Sequence, residues 1–244
     1  MILALASKKF INKDIPANLS TILACLKECA LQNVDLLCFG EAFLHGFDGL
    51  DWKYEKDVSA ALSVDSEVFL TISNAARECG VAAAFGYIEH DKGFLYSSYA
   101  VISKEGDLLC NFRRVSVGWK EPCIWNDPRY KEGEGFSAFS FMDRQIAVGL
   151  CGDFWYGENI EKIQNIDCDF VLWPLFIDFS AASWESEEKS NYAKQAGIIH
   201  EKVLLINSMT DEPTPAVGGC IYFRDGNIIS ELPPNTDDLL ILQL

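Results

Sequence analysis

The chain has little positive charge and no long apolar run. Its 244 residues include 20 Lys and Arg against 36 Asp and Glu, which gives a formal net charge of −16. A protein that binds nucleic acid unaided needs a basic face, so this balance argues against that class and against anionic membrane surfaces. It favours solubility and substrates that are neutral or cationic. No apolar run approaches the roughly 18 residues that span a bilayer, so we expect no membrane span.

Two further absences concern cysteine pairing and targeting. The nine cysteines, an odd number, follow no disulfide-scaffold spacing, and the chain has no Cys-x-x-Cys pair. No basic segment followed by an apolar stretch is visible at the start, which argues against a secretory signal. The simplest expectation is a cytoplasmic protein with reduced thiols. Cys25 and Cys29 are four residues apart with no nearby histidine, so we interpret them as core residues rather than metal ligands.

The order of apolar patterns predicts an α/β protein. No Pro-, Gly- or Ser-rich linker and no internal repeat divides the sequence, so we expect a single domain over residues 1–244. Strand-like runs such as Asp35–Gly40 alternate with helical spacing at Ile15–Leu31 and Trp184–Glu201. A turn at Lys104-Glu105-Gly106 predicts an antiparallel hairpin. Strand–helix units combined with hairpins favour two mixed β-sheets between helix layers.

Cys151 is the most informative position in the chain. It follows the apolar run Gln145–Leu150 and precedes Gly152, after which an amphipathic stretch begins. A strand-to-helix turn of this kind lifts one side chain clear of the sheet end, where a nucleophile can meet a substrate. A free thiol, with a pKa near 8.5, is only a few per cent ionised at neutral pH, so a nucleophile needs a neighbouring base. Most buried cysteines are simply small hydrophobic residues. Cys151 is therefore interpreted as a nucleophile only if catalytic partners are found elsewhere in the chain.

Glu41 is the candidate base. None of the three histidines, His45, His90 and His200, has a context that marks it for this role. Glu41 directly follows the strand Asp35–Gly40 and precedes aromatic and apolar residues, so we expect a partly desolvated carboxylate. Desolvation moves a carboxyl group toward the range useful to a general base, which contributes roughly 10²–10⁴ in rate. A helix cap or a loop salt bridge is the alternative role.

These positions and an intervening basic motif resemble the nitrilase (carbon–nitrogen hydrolase) superfamily. The likeness extends over essentially the whole chain, and it implies a four-layer α-β-β-α sandwich with two mixed β-sheets. It also implies no metal or organic cofactor, and association into a homodimer or a larger homo-oligomer. The segments that carry it, in order, are Gly40-Glu41-Ala42-Phe43 through Gly46-Phe47, Phe112-Arg113-Arg114-Val115, Cys151-Gly152-Asp153-Phe154-Trp155-Tyr156-Gly157-Glu158, Val203-Leu204-Leu205-Ile206-Asn207, Gly218-Gly219 and Asp225-Gly226-Asn227.

The resemblance implies a Glu–Lys–Cys triad. Glu41 matches the base and Cys151 the nucleophile, but Arg114 stands where the family has lysine. A cation about 4 Å from a thiolate contributes roughly 4 kcal/mol at an effective dielectric near 20, so arginine keeps the electrostatic role. Arginine cannot give up a proton at ordinary pH, and its planar fork is bulkier than an ammonium group. If the family's lysine only stabilises charge, activity survives with altered geometry; if it shuttles a proton, activity is badly reduced.

The same resemblance assigns four more positions. Glu121, seven residues after Arg114, lies close to where the family places a second glutamate that supports the substrate and the triad. The backbone N–H of Gly152 is expected to help bind the oxyanion, and Phe154 and Trp155 are expected to line the substrate pocket. Each has an ordinary alternative: Glu121 is an exposed loop acid, and large aromatic side chains belong to the core.

The expected activity is hydrolysis of a small linear amide through a thioester at Cys151, with release of ammonia. An amide is favoured over a nitrile because amides are the commoner metabolic substrates, which is an argument by analogy. Two alternatives stay open. A Cys-His-Glu amidotransferase would use His200 as its base but would leave the Glu41 motif unexplained. A catalytically silent homologue that binds a ligand or partner through the inherited pocket is supported by Arg114.

Overall fold

Two β-sheets with helices on their outer faces make up the computed structural model, which describes residues 1–211 and 214–244. The strands in these residues are β1 (Ile2–Ser7), β2 (Leu36–Cys38), β3 (Ala82–Asp91), β4 (Phe94–Ile102), β5 (Leu108–Arg113), β6 (Ala138–Phe141), β7 (Arg144–Val148), β8 (Phe170–Leu175), β9 (Lys202–Thr210), β10 (Ala216–Arg224), β11 (Asn227–Leu232) and β12 (Asp238–Gln243). The α-helices are α1 (Ile15–Leu31), α2 (Tyr54–Ala60), α3 (Glu67–Cys79), α4 (Gly157–Gln164), α5 (Ala181–Ser183) and α6 (Lys189–Ile199).

Each sheet has three parallel strands flanked by antiparallel ones. The strand order is β12-β1-β2-β3-β4-β5 in sheet 1 and β11-β10-β9-β8-β7-β6 in sheet 2. Strands β1, β2 and β3 run parallel in the first sheet, and β7, β8 and β9 run parallel in the second. Parallel strands end at the same edge of their sheet, so the turns that follow β2, β7 and β8 are available to build one site.

The buried apolar residues form layers that follow the sheets. One cluster lies between sheet 1 and helices α1 and α3, a second between the two sheets, and a third between sheet 2 and helices α4 and α6. Each fully buried Leu, Ile or Phe contributes about 1.5–3 kcal/mol relative to exposure, so these layers dominate the stability. The arrangement confirms the predicted α-β-β-α sandwich with two mixed sheets.

Local sequence signals explain where two of the helices begin and end. Asp14 accepts the N–H of Ala17 at 3.0 Å before α1, and Pro16 stands in the first turn. Ser66 caps α3, and Gly80, with a φ of +67°, ends it in the left-handed conformation that glycine adopts most easily. The predicted helix Ile15–Leu31 is therefore confirmed.

Other elements differ from the sequence prediction. Helix α2 was not predicted, because it is only seven residues long and its N-cap, Lys53, makes no side-chain cap bond. The predicted helix Trp184–Glu201 is instead a π-helical segment, Trp184–Glu188, followed by α6. Within the described residues, no helix combines the length and apolar character needed to cross a bilayer.

Candidate active site

The turn that carries Glu41 is tied to the opposite sheet. The backbone N–H of Glu41 donates to the carbonyl of Leu175 at the end of β8, at 3.2 Å. The preceding Gly40 donates its N–H to the hydroxyl of Ser208 at 3.2 Å. A Cβ atom at Gly40 would lie 2.6 Å from that hydroxyl oxygen, so only glycine allows the two sheets to approach here. These bonds bring the end of β2 beside the end of sheet 2.

Cys151 lies in a strained turn directly after β7. Its φ of +40° is in the left-handed region, unusual for a residue with a side chain. The buried Asp153 carboxylate accepts the N–H of Leu150 at 2.9 Å, and the Trp173 indole donates to the Cys151 carbonyl at 2.9 Å. The Cys151 thiol faces the carbonyl of Phe176 at 3.7 Å. The turn therefore presents the thiol at the edge of sheet 2, as the sequence predicts for a nucleophile.

Two neighbouring arginines at the end of β5 point in opposite directions. Arg113 reaches the outer face of sheet 1, where its Nη2 lies 2.6 Å from Glu89 and 2.8 Å from Asp91. Arg114, one residue later, turns inward, and its Nη1 lies 2.7 Å from Oε1 of Glu41. The alternation of side chains along an extended segment accounts for this division. It places Arg114, not Arg113, beside Glu41.

The Glu41–Arg114 pair is buried and leaves one carboxylate oxygen free. Glu41 is 1% exposed and Arg114 is 4% exposed. Oε1 of Glu41 accepts from Arg114, whereas Oε2 is buried and has no hydrogen-bond partner in the described part of the chain. A buried oxygen without a partner is costly to keep, and a catalytic role is one reason for keeping it. This oxygen is available to take a proton.

Electrostatic effects connect these three side chains. Burial and, to a smaller extent, the charge of Glu41 raise the pKa of the Cys151 thiol, Arg114 lowers it, and the net value is about 12. Burial acts to lower the pKa of Arg114, but the charges of Glu41, Cys151 and Asp153 outweigh that effect and raise it. The resting thiol is therefore protonated at neutral pH, and the guanidinium is always charged. A thiolate forms here only if a base takes the proton.

Of the predicted site residues that follow Cys151, Gly152 adjoins Arg114 and Trp155 is partly exposed, whereas Phe154 points into the core. A Cβ atom at Gly152 would be 2.6 Å from Nη2 of Arg114, so this glycine adjoins the guanidinium. Trp155 is 46% exposed beside the Cys151 turn. Phe154 is completely buried, with its ring against Trp173, and its para carbon would be 2.1 Å from a Cβ atom at Gly149. The prediction that Phe154 lines the pocket is wrong, because its side chain fills the core beneath the turn.

Glu121 differs from Glu41 and Arg114 in its exposure to solvent. It is exposed, and it precedes a short 3-10 helix at Pro122–Ile124. The neighbouring Lys120 is the buried residue, and its Nζ lies 2.6 Å from Glu132. The structure therefore corrects the assignment of Glu121, which matches its alternative as an exposed loop acid. It also excludes Lys120 as a displaced triad lysine, because its ammonium group is committed elsewhere.

His200 lies at the other end of sheet 2 from Cys151. His200 lies just before β9, and its ring bonds the backbone of Cys168 at 3.1 Å and of Lys202 at 3.0 Å. Lys202 begins β9 and Cys168 lies just before β8, whereas Cys151 follows the end of the parallel strand β7. The alternative in which His200 is the base of an amidotransferase is therefore wrong. No group of three or more His, Cys, Asp or Glu side chains that could hold a metal ion occurs in the described ranges.

Two side chains at the site escaped the sequence analysis. The hydroxyl of Ser116 accepts from Nε of Arg114 at 2.9 Å, and its backbone N–H donates to Asp153 at 2.7 Å. The Tyr192 ring on α6 stacks on Trp173, with ring centroids 5.3 Å apart. Burial raises the pKa of Tyr192, and the charge of Cys151 also acts to raise it. Neither residue lies in a motif, so no sequence signal could have identified them.

Sequence comparison finds similar proteins among nitrilases and amidases. The chain is 24% identical over 229 residues to an arylacetone-specific nitrilase of Alcaligenes faecalis, covering 90% of this chain and 60% of that protein. It is 25% identical over 177 residues to an omega-amidase of Xenopus tropicalis, covering 69% of this chain and 62% of that protein. The chain thus spans about 60% of the length of these two curated relatives.

Solved structures and a family match agree with the fold. A variant of the amidase from Nesterenkonia sp. AN1, with acrylamide added at its active-site cysteine, superposes with a TM-score of 0.78 at 18% identity, covering 100% of this chain and 93% of that one. A glutamine-dependent NAD⁺ synthetase from Acinetobacter baumannii superposes with a TM-score of 0.76 at 18% identity, covering 98% of this chain and 44% of that one. Residues 4–244 match the family described as carbon-nitrogen hydrolase. The chain belongs to the carbon-nitrogen hydrolase family.

Proposed function

We propose that the protein is an amidase that hydrolyses a small linear amide, with Cys151 as nucleophile and Glu41 as general base. The observation that carries this proposal is the division of the Glu41 carboxylate: Oε1 is bound by Arg114, and the buried Oε2 has no partner among the described residues. A general base needs a free lone pair within reach of the proton it removes. The effect of Glu41 on the pKa of Cys151 supports their proximity.

The proposed reaction begins with a neutral thiol. As the Cys151 sulfur attacks the amide carbon, its proton moves to Oε2 of Glu41, so no free thiolate accumulates. Glu41 then gives that proton to the leaving nitrogen, and the C–N bond breaks to release ammonia. The acyl group stays on sulfur as a thioester.

Hydrolysis of the thioester reverses the roles. Glu41 takes a proton from a water molecule, whose oxygen attacks the thioester carbon. The C–S bond breaks, and the thiol recovers its proton from Glu41. The products are a carboxylic acid and ammonia, so the two half-reactions consume one water molecule per amide and leave the enzyme unchanged.

Arg114 supplies fixed positive charge in this scheme. We assign its Nη2, which lies beside Gly152, and the backbone N–H of Gly152 as donors to the oxyanion that forms on the carbonyl oxygen. Loss of one oxyanion donor typically lowers the catalytic rate constant about 10²–10³-fold. Because the guanidinium never releases its proton, every proton transfer falls to Glu41.

The substrate side chain is assigned to the aromatic residues beside the nucleophile. Trp155 is partly exposed, and its ring centroid is 5.2 Å from that of Tyr192 in an edge-on contact. Aromatic walls suit a short apolar chain. Both a nitrilase and an omega-amidase are among the similar proteins, and an amide is preferred because amides are the commoner metabolic substrates.

The test is a panel of short aliphatic amides and the corresponding nitriles, with ammonia release and the intact mass of the protein as readouts. An acyl mass on Cys151, trapped by rapid acid quench and located by peptide mapping, supports the proposal. The control is Cys123→Ser, which removes an exposed thiol that the proposed reaction does not use and should leave turnover unchanged. Amide turnover that persists in Cys151→Ala would contradict the assigned nucleophile.

A catalytically silent, ligand-binding homologue is the second candidate. Two observations favour it: Arg114 cannot transfer a proton, and two sizeable cavities are lined by residues other than Cys151. One of about 640 Å³ is lined by residues including Lys9 and Thr21, and one of about 440 Å³ by residues including Lys202 and Arg224. Absence of both ammonia and acyl adducts across the panel, with the same amides shifting the melting temperature, would favour this candidate.

Association into a homodimer and a single domain over residues 1–244 remain predictions. Light scattering on the purified protein measures its oligomeric state and tests the predicted homodimer. A single cooperative unfolding transition seen by both fluorescence and circular dichroism would support the second.

A further inference from the structure

The Arg114 side chain is held on three sides. Nη1 donates to Glu41 at 2.7 Å and Nε donates to the Ser116 hydroxyl at 2.9 Å. Nη2 adjoins two glycines: a Cβ atom would lie 2.6 Å from it at Gly152 and 3.3 Å from it at Gly118. Each nitrogen of the guanidinium thus has its own neighbour, and the absence of side chains at the two glycines leaves room for the planar guanidinium group.

A lysine could not make this set of contacts. An ammonium group is a compact charge on a flexible stem, whereas a guanidinium presents several N–H donors in a fixed plane. The bond to Ser116 uses Nε, an atom that lies within the arginine side chain and has no lysine counterpart. The surroundings of Arg114 therefore fit arginine specifically and are not a lysine site with one residue exchanged.

Ser116 is itself fixed relative to the nucleophile. Its backbone N–H donates to Oδ1 of Asp153 at 2.7 Å, and the same oxygen accepts the N–H of Val115 at 3.0 Å. The other oxygen of Asp153 accepts the N–H of Leu150, which directly precedes Cys151. One carboxylate therefore joins the segment after β5 to the Cys151 turn. The Ser116 hydroxyl is buried and has a defined position relative to the sulfur.

We propose that Ser116 is a positioning residue that orients the Arg114 guanidinium toward Glu41 and the Cys151 turn, in a site built for arginine. This inference rests on the proposed function, because it assigns Arg114 a part in that chemistry. It has two consequences. Loss of the Ser116 hydroxyl should impair the reaction without removing a group that touches substrate. Arg114→Lys should lower turnover rather than restore a more active enzyme.

The first experiment compares Ser116→Ala with Ser116→Thr, which keeps a hydroxyl. Both keep the backbone bond to Asp153, so the fold of this segment should survive, and Ser116→Thr also keeps the hydroxyl that hydrogen-bonds the Asp153 side chain. We expect Ser116→Ala to lower kcat about tenfold with little change in KM, the size expected when hydrogen bonds to charged groups are lost. Ser116→Thr should restore most of that loss. An unchanged kcat in Ser116→Ala would overturn the proposal, and so would a higher kcat in Arg114→Lys.

The second experiment needs no substrate, so it separates this inference from the proposed function. Cys151 is alkylated with iodoacetamide at about pH 8 in a Cys123→Ser background, where the rate follows the thiolate fraction. The charge of Glu41 raises the pKa of this thiol and Arg114 lowers it, and the Asp153 carboxylate and the Tyr192 phenol are the other titratable groups at the site. Because Arg114 favours the thiolate, Ser116→Ala should slow alkylation severalfold. An unchanged rate would overturn the positioning role even if amide turnover is found.

The matched control is Ser98→Ala. Ser98 is also a buried serine whose hydroxyl bonds a charged group, Oε2 of Glu89, at 2.6 Å, but it lies on the outer face of sheet 1. Ser98→Ala should lower the melting temperature and leave kcat and the alkylation rate unchanged. Equal effects of Ser98→Ala and Ser116→Ala on both rates would mean that the loss is merely structural, against the proposal.

Discussion

Trp173 donates its indole N–H to the carbonyl oxygen of Cys151 at 2.9 Å. Cys151 has a φ of +40°, and such a conformation costs of order 1–3 kcal/mol for a residue other than glycine. Trp173 is completely buried on β8, where its ring packs against Phe154 and Tyr192. The indole is therefore held by the core, and it in turn helps to hold the strained turn in place.

We expect Trp173→Phe to destabilise the protein by about 2–3 kcal/mol, from the lost hydrogen bond and the smaller ring. Turnover should fall as well, because the Cys151 turn loses a restraint. The matched control is Trp119→Phe: Trp119 is also buried, but its Nε1 has no hydrogen-bond partner within the described residues. Urea unfolding of both variants measures the difference. A control that costs as much as Trp173→Phe would show that the indole bond contributes little.

Glu41→Gln separates the base from its electrostatic effect. Glu41 raises the pKa of Cys151, so removing its charge should increase the thiolate fraction and speed alkylation by iodoacetamide at about pH 8. Removing the general base should lower amide turnover by about 10²–10⁴-fold. A thiol that becomes more reactive in an enzyme that becomes less active is the expected signature.

The two measurements have different controls. Alkylation is followed in a Cys123→Ser background, because Cys123 is exposed and would otherwise dominate the signal. Turnover is compared with Glu121→Gln, which changes an exposed glutamate and should stay within about twofold of the parent. Slower alkylation in Glu41→Gln would contradict the electrostatic relationship, and turnover near the parent value would contradict the assigned base.

The sequence predicted the two sheets and the trio Glu41, Arg114 and Cys151 because these depend on strand patterns and on motifs at strand ends. It could not predict how the carboxylate is divided between Arg114 and a free oxygen. That division depends on the packing of sheet 1 against sheet 2, which brings Glu41 to the backbone of Leu175. Contacts between segments more than a hundred residues apart leave no local signal.

Errors in the sequence prediction have physical reasons too. Phe154 and Trp155 are adjacent aromatics after the nucleophile, and no pattern indicates which of them faces the core. The 3-10 turn at Cys151–Trp155 directs Phe154 inward and leaves Trp155 exposed. Glu121 was placed by its separation from Arg114, but two 3-10 turns at Val117–Trp119 and Pro122–Ile124 carry it to the surface. Spacing transfers between relatives only where the intervening backbone is the same.

Replacing each of these two neighbours by alanine tests that correction. Phe154→Ala should destabilise the protein by about 3–5 kcal/mol, because it empties a completely buried site. Trp155→Ala should cost under about 1 kcal/mol, because the ring is 46% exposed, but it should raise KM for the amide. Urea unfolding and steady-state kinetics give the two quantities. A larger stability loss for Trp155→Ala than for Phe154→Ala would contradict the burial of these rings.

His45 should make the protein sensitive to mild acid. Its Nε2 lies 3.1 Å from the carbonyl of Ala60, which can only accept, and its Nδ1 lies 3.1 Å from the N–H of Ile88, which can only donate. The ring must therefore be neutral, with its proton on Nε2. Burial lowers the pKa of His45 from 6.5 to about 4. Between pH 6.5 and about pH 4, His45 therefore binds a proton in the unfolded chain but not in the folded protein.

This linkage fixes the direction of the effect. The contribution is fully present above a pH of about 6.5 and is lost as the pH falls toward about 4. Because of this pKa shift, acidification from pH 7.5 to pH 5 should lower the free energy of unfolding by about 2 kcal/mol. The asparagine of His45→Asn can still accept a hydrogen bond but cannot titrate. The free energy of unfolding of this variant should therefore fall by about 2 kcal/mol less than that of the parent over the same pH interval. Carboxylates contribute equally to both proteins, so equal losses in urea titrations would show that His45 is not forced to be neutral.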